Sequence, residues 1–165
     1  MAARVLVAGV GNIFLGDDGF GSEVARRLAG QPLPGGVRVV DYGSSGMHLA
    51  FDLLDGYDAL VLVDAVPARD TSEPGDLRVL EVGPDDLGSG ELDAHGMDPV
   101  AVLASLDSLG GTLPRTLVVG CQPLDVGEGI GLSPPVSAAV GPAAETVLRL
   151  VDAVVSADPP GRAET

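Results

Sequence analysis

The sequence predicts an α/β fold: a three-layer sandwich with a mostly parallel, twisted sheet of about five strands and helices on both faces. Three observations lead there. Short apolar runs without alternation recur along the chain, each bounded by Gly, Pro or Asp, as strands buried on both sides are. Stretches of helical period separate them. Hydrophobic residues make up 45% of the chain but aromatics only 3%, with no Trp, so the core must be built from Val, Leu and Ala.

The first strand is Val5–Val10. It leads through a glycine-rich turn to a helix near Gly19–Leu28, where Phe20, Val24 and Leu28 form one stripe and Gly30 is the stop signal. Val37–Asp41 is the second strand. The next helix, near Gly46–Leu54, sets Met47, Ala50, Phe51 and Leu54 on one apolar face. Leu60–Asp64 is a third strand and Leu77–Val82 a further one. Asp98-Pro99 starts a helix, an N-cap followed by proline at the first helical position; Val100, Leu103 and Leu106 point inward and Gly110-Gly111 ends it. Thr116–Gly120 is the last strand. A helix from about Pro135 to Val155 follows, with Pro142 marking a kink or the true start. Residues 1–155 read as a single domain, and the polar, proline-rich residues 156–165 as a disordered tail.

Composition excludes several functions. Acidic residues number 24 against 9 basic ones, a net charge of -15, and every basic residue is Arg. Without lysine there is neither a Schiff-base amine nor a phosphate-loop ammonium. Such a surface repels nucleic acid and anionic lipid and suits a basic partner or a bound cation, though solubility alone also accounts for it. Cys121 is the sole cysteine, so no internal disulfide forms and a cytoplasmic location is expected. The N-terminal apolar run is too short for a signal peptide, and no apolar stretch approaches the ~20 residues of a membrane helix.

Ligands in such folds bind beyond the carboxyl ends of the strands, where Asp41, Asp64 and Cys121 are expected. Gly9-Val-Gly-Asn-Ile-Phe14 imitates a dinucleotide fingerprint, but Phe14 stands where glycine is required. Gly11 to Gly16 has phosphate-loop spacing, yet Asp17 and Asp18 follow it, and carboxylates there occupy the place a phosphate would take. These two acids either cap a helix or do chemistry. Asp64 closes the apolar run Ala59-Leu-Val-Leu-Val-Asp64 and is either functional or a turn former. Asp41 reads as a turn former with Ser44 or Ser45. Of the two imidazoles, His48 falls on a helix surface and His95 in a polar loop before a helix. Cys121 reads as a small buried residue at a strand end. No serine sits in a nucleophile elbow. Asp18, Asp64 and His95, if gathered at one sheet edge, suit a divalent transition metal such as nickel, zinc or cobalt.

The ordered set of motifs resembles the hydrogenase maturation protease family, endopeptidases that remove the C-terminal extension from the large-subunit precursor of nickel–iron hydrogenases. The matching pieces are Val7-Ala-Gly-Val-Gly-Asn12 with Gly16-Asp-Asp-Gly-Phe-Gly21, Asp41-Tyr-Gly-Ser-Ser-Gly46, Leu60-Val-Leu-Val-Asp-Ala65, the His95 loop, Val118-Val-Gly-Cys-Gln-Pro123 and Gly131-Leu-Ser-Pro134. They span roughly Val5 to Leu150. The resemblance implies a twisted sheet flanked by helices and places the family's three metal-contacting positions at Asp18, Asp64 and His95. Many relatives carry Glu at the first of these, and Thr near Ser44 or Ser45. It implies further that nickel arrives with the substrate, that the partner is the large-subunit precursor, and that a carboxylate or the metal activates water. Such enzymes are often classed as aspartic-type, although no paired-aspartate dyad motif is visible. A monomer that meets its precursor transiently is expected. A nickel-binding chaperone with the same ligands is the alternative from another class.

Overall fold

The computed structural model describes residues 3–68, 72–83, 103 and 106–157, with only the backbone of Asp107. The elements are β1 (Val5–Val10), α1 (Phe20–Ala29), β2 (Val37–Gly43), α2 (Gly46–Leu53), β3 (Ala59–Ala65), β4 (Leu77–Val82), β5 (Arg115–Cys121) and α3 (Pro134–Ser156), with short 3-10 turns at Gly16–Gly19 and Asp107–Leu109. The five strands form one sheet in the order β2-β1-β3-β5-β4. Four are parallel; β4 runs antiparallel to β5 at one edge. The expected α/β sandwich with a mostly parallel sheet is what the chain forms.

Strand alternation sorts the apolar side chains into two layers. Val5 and Val7 of β1, with Ala59, Val61 and Val63 of β3, join Phe20, Val24 and Leu28 of α1 and Val136, Ala143 and Val147 of α3 in one core. Leu6, Ala8 and Val10, with Leu60 and Leu62, face the other way against Leu49 and Leu53 of α2. Leu103 and Leu106, predicted to point inward, are buried in this second core. Fully burying a side chain such as Phe20 stabilises the fold by about 2–3 kcal/mol, so these two layers rather than helix propensity hold the elements in place.

Of the apolar face predicted for α2, only Ala50 packs inward. Gly46, Leu49, Ala50 and Leu53 are buried, whereas Met47, Phe51 and Leu54 are exposed. Leu49 and Leu53, four residues apart, carry the packing instead. Pro142 is not the start of the last helix: α3 starts at Pro134 and includes Pro142. The Thr146 hydroxyl donates to the Pro142 carbonyl at 2.9 Å. The helix predicted from Asp98 falls almost wholly outside the described residues, as does the tail from residue 158.

The chain reverses its direction of travel across the sheet between β1 and β3. β1 pairs with β2 on one side and β3 on the other, so the loops leaving β1 and β3 diverge and open a crevice at their carboxyl ends. Gly9 of β1 lies level with Asp41 of β2 and Val63 of β3, one residue before Asp64. The candidate acids therefore start from one rim.

Candidate active site at the β1/β3 switch point

Asp64 is the penultimate residue of β3, at the parity of Leu60 and Leu62, and is 4% exposed. One of its oxygens, Oδ1, accepts the Ala65 backbone N–H at 2.8 Å. Asp18 lies in the 3-10 turn that leads into α1 and is half-buried. Its Oδ2 accepts the Asn12 N–H at 2.8 Å, which folds the β1 loop back on itself. Asn12 continues the chain of contacts, taking the Phe14 N–H on its own Oδ1 at 2.9 Å.

Gly11 lies between the Asp18 backbone and the Asp64 side chain. Its φ is +135°, and a methyl group there would lie 1.9 Å from the Asp18 carbonyl oxygen and 3.5 Å from Asp64 Oδ1. Only glycine permits that conformation and that approach. The loop after β1 and the end of β3 thus share one small space at the switch point.

Neither neighbouring acid caps a helix. The N-cap positions of the 3-10 turn and of α1 are Leu15 and Gly19, and neither has a side-chain cap bond. Asp17 instead anchors a distant loop. It is fully buried and takes the N–H groups of Leu124 and Asp125 at 2.9 Å, the Ser133 N–H at 2.7 Å and the Ser133 hydroxyl at 2.8 Å. The Asp17 N–H returns a bond to the Asp125 carbonyl, and Gly16 and Phe14 exchange bonds with Gly129. Burial alone would raise the Asp17 carboxyl; the N–H groups of Ser133, Asp125 and Leu124 and the Ser133 hydroxyl outweigh it and hold the group below the usual carboxylate range. This role was not foreseen from sequence. The available signal was Ser133 before Pro134-Pro135, an N-cap signature whose side chain turns out to be committed to Asp17 rather than to the helix.

The remaining candidates fall elsewhere. Asp41 forms a turn as expected, but with different partners: it accepts the Ser22 hydroxyl at 2.7 Å and the Gly43 N–H at 3.0 Å. His48 is on the α2 surface, edge-on to Tyr42 at 5.3 Å and 3.6 Å from Asp52. Burial and a 2.6 Å bond donated to Asp52 push the Tyr42 phenol upward, so this cluster is structural. Cys121 is fully buried; burial, with the Asp17 and Asp76 charges, pushes its thiol up to about 12, the state of a packing residue rather than a nucleophile. His95 lies outside the described residues. Among the described residues no three His, Cys, Asp or Glu side chains group as a metal site. What the structure shows is that the Asp18 backbone and the Asp64 carboxylate border the same residue, Gly11.

The fold is an α/β protein with a mostly parallel sheet whose switch point carries the Asp64 carboxylate and the loop of Asp18. Comparison with known proteins gives the family. The model of the hydrogenase maturation protease family matches residues 22–150. The hydrogenase 2 maturation protease of Escherichia coli is 34% identical over 148 residues, covering 88% of each chain. A putative hydrogenase maturation protease of Methanocaldococcus jannaschii is 33% identical over 151 residues, 87% of this chain and 94% of that one. The structure of the hydrogenase maturating endopeptidase HybD from E. coli superposes with a TM-score of 0.78 at 31% identity, covering 92% and 93% of the two chains. The chain belongs to the hydrogenase maturation protease family, and its general activity is that of a peptidase in hydrogenase maturation. Among the described residues no helix is long and apolar enough to cross a membrane.

Proposed function

We propose that this chain is the endopeptidase that removes the C-terminal extension of a nickel-loaded hydrogenase large-subunit precursor, with Asp18, Asp64 and His95 contacting the nickel that the substrate carries. The observation supporting this most directly is that the Asp18 backbone and the Asp64 carboxylate both border Gly11 at the switch point of a maturation-protease fold. The Asn12 N–H holds Asp18 Oδ2, and among the described residues none donates to its Oδ1, which leaves an oxygen for an incoming cation. Asp64 is oriented by the Ala65 N–H. Two carboxylates and one neutral imidazole give open coordination to an ion that arrives already bound elsewhere, so affinity for the precursor depends on whether that ion is present.

Cleavage then follows from placement. The precursor's ion seats the adjoining peptide bond at the crevice, and a carboxylate of the pair accepts a proton from the attacking water, or the substrate's metal polarises that water. No nucleophilic thiol is needed, in keeping with the inert Cys121. The enzyme acts in the cytoplasm as a monomer, and its net charge of -15 directs it away from nucleic acid.

Incubating the protein with nickel-loaded and nickel-free precursor, and weighing the products by mass spectrometry, tests this. Release of the extension from the loaded form alone is expected. Equal cleavage of both removes the nickel checkpoint; binding without release of any peptide makes the chain a chaperone. Asp18→Ala, Asp64→Ala and His95→Ala should each abolish release, and activity retained in all three moves the site elsewhere.

A further inference from the structure

We propose that the paired loops 11–19 and 124–133 form a docking ledge for an apolar stretch of the precursor chain, seated beside the bond to be cut. This rests on the reading that the protein processes such a precursor. Ile130 is 77% exposed, Phe14 60% and Leu124 58%, and Val126 is exposed as well. Large apolar side chains concentrated on one surface feature mark an interaction site, whereas isolated ones do not.

The loops that carry them are held firmly. The buried Asp17 carboxylate fixes the backbone at Leu124, Asp125 and Ser133. Gly129 donates to the Phe14 carbonyl at 2.9 Å and accepts from Gly16 at 2.8 Å, setting Ile130 next to the residue paired with Phe14. A pre-ordered apolar surface loses little conformational freedom when a partner settles on it.

Continuity with the catalytic rim selects the occupant. Phe14 donates to Asn12, and Asn12 donates to Asp18, so the ledge begins two residues from a group that holds Asp18 in place. A peptide presented to Asp18 and Asp64 reaches the ledge with its neighbouring residues. The exposed carboxylates Asp125 and Glu128 sit among the apolar side chains and repel an acidic segment, including the acidic surface of a second copy.

The test uses the full chain and purified nickel-loaded precursor, comparing wild type, the double variant Phe14→Ser/Ile130→Ser and a control, Val79→Ser on β4, which is exposed but remote from the site in sequence. All are first matched for thermal midpoint. The double variant should weaken precursor binding about tenfold or more and raise KM in parallel, with kcat within about twofold. The control should match wild type. Unchanged Kd in the double variant, or an equal loss in the control, overturns the ledge, as does a wild-type dimer that the double variant dissolves while Kd stays fixed. A wild type that binds but never cleaves fails the protease reading instead, and the Kd ratio still decides the ledge.

Discussion

Gly9 of β1 and Gly21 of α1 meet backbone to backbone: a methyl group on Gly9 would lie 2.2 Å from the Gly21 carbonyl oxygen. A methyl group on Gly21 would in turn lie 2.2 Å from the Val63 carbonyl and 2.4 Å from that of Val10. The start of α1 is thus pressed against β1 and β3 at the point where both strands deliver their loops. Gly21→Ala must push the helix away. A loss of about 2–4 kcal/mol is expected, read as a lower urea midpoint with unchanged m-value.

Replacing Asp17 by Asn removes the negative charge that four donors share and turns an amide group toward some of them. Stability should fall by about 3 kcal/mol in chemical denaturation. The acid limb should change too. The folded Asp17 carboxyl titrates below its unfolded value of 3.8, so its contribution is complete above that pH and fades as pH falls through the folded value. Wild type should therefore lose stability more steeply than Asp17→Asn below about pH 4. Parallel curves would mean that the carboxylate contributes no such linkage.

Gly11→Ala should separate activity from folding. The added methyl group needs a strained φ and displaces the Asp18 carbonyl, at a cost of about 1–3 kcal/mol. Displacement of Asp18 relative to Asp64 should reduce precursor processing by about a hundredfold or more. Circular dichroism and a cleavage time course, run on the same sample, check both halves.

Cys121 should resist alkylation in the native protein. Its buried thiol, pushed up to about 12, carries almost no thiolate at pH 8, so iodoacetamide should add no mass until the protein is unfolded. Cys121→Ala should process the precursor at the wild-type rate.

How much of this could be read from the sequence varies with the range of the interaction. The strands declare themselves because a parallel strand buried on both faces needs an unbroken apolar run, and Val5–Val10 and Ala59–Ala65 are such runs. The antiparallel turn of β4 leaves no comparable mark in Leu77–Val82. α2 misleads because its eight residues offer two overlapping apolar stripes, and periodicity does not choose between them; Leu49 and Leu53 are buried, Met47 and Phe51 exposed. Asp64 is legible as an acid at a strand end, and Asp18 as one of two acids in the glycine-rich loop after β1. Asp17 and Asp18, however, are neighbours of identical chemistry, and only partners from Leu124 to Ser133 show that Asp17 is the anchor. The placement of His95 lies outside the described residues.

Asp17 and Ser133 stand 116 positions apart. During synthesis the N-terminal acids leave the ribosome long before the segment that will clasp them, and β1 must also wait for β3 to fill its second side. Sheets assembled from such distant pieces fold slowly. A nascent chain stopped short of residue 133 would lack the clasp around Asp17, so the loop that carries Asp18 is fastened only late in translation.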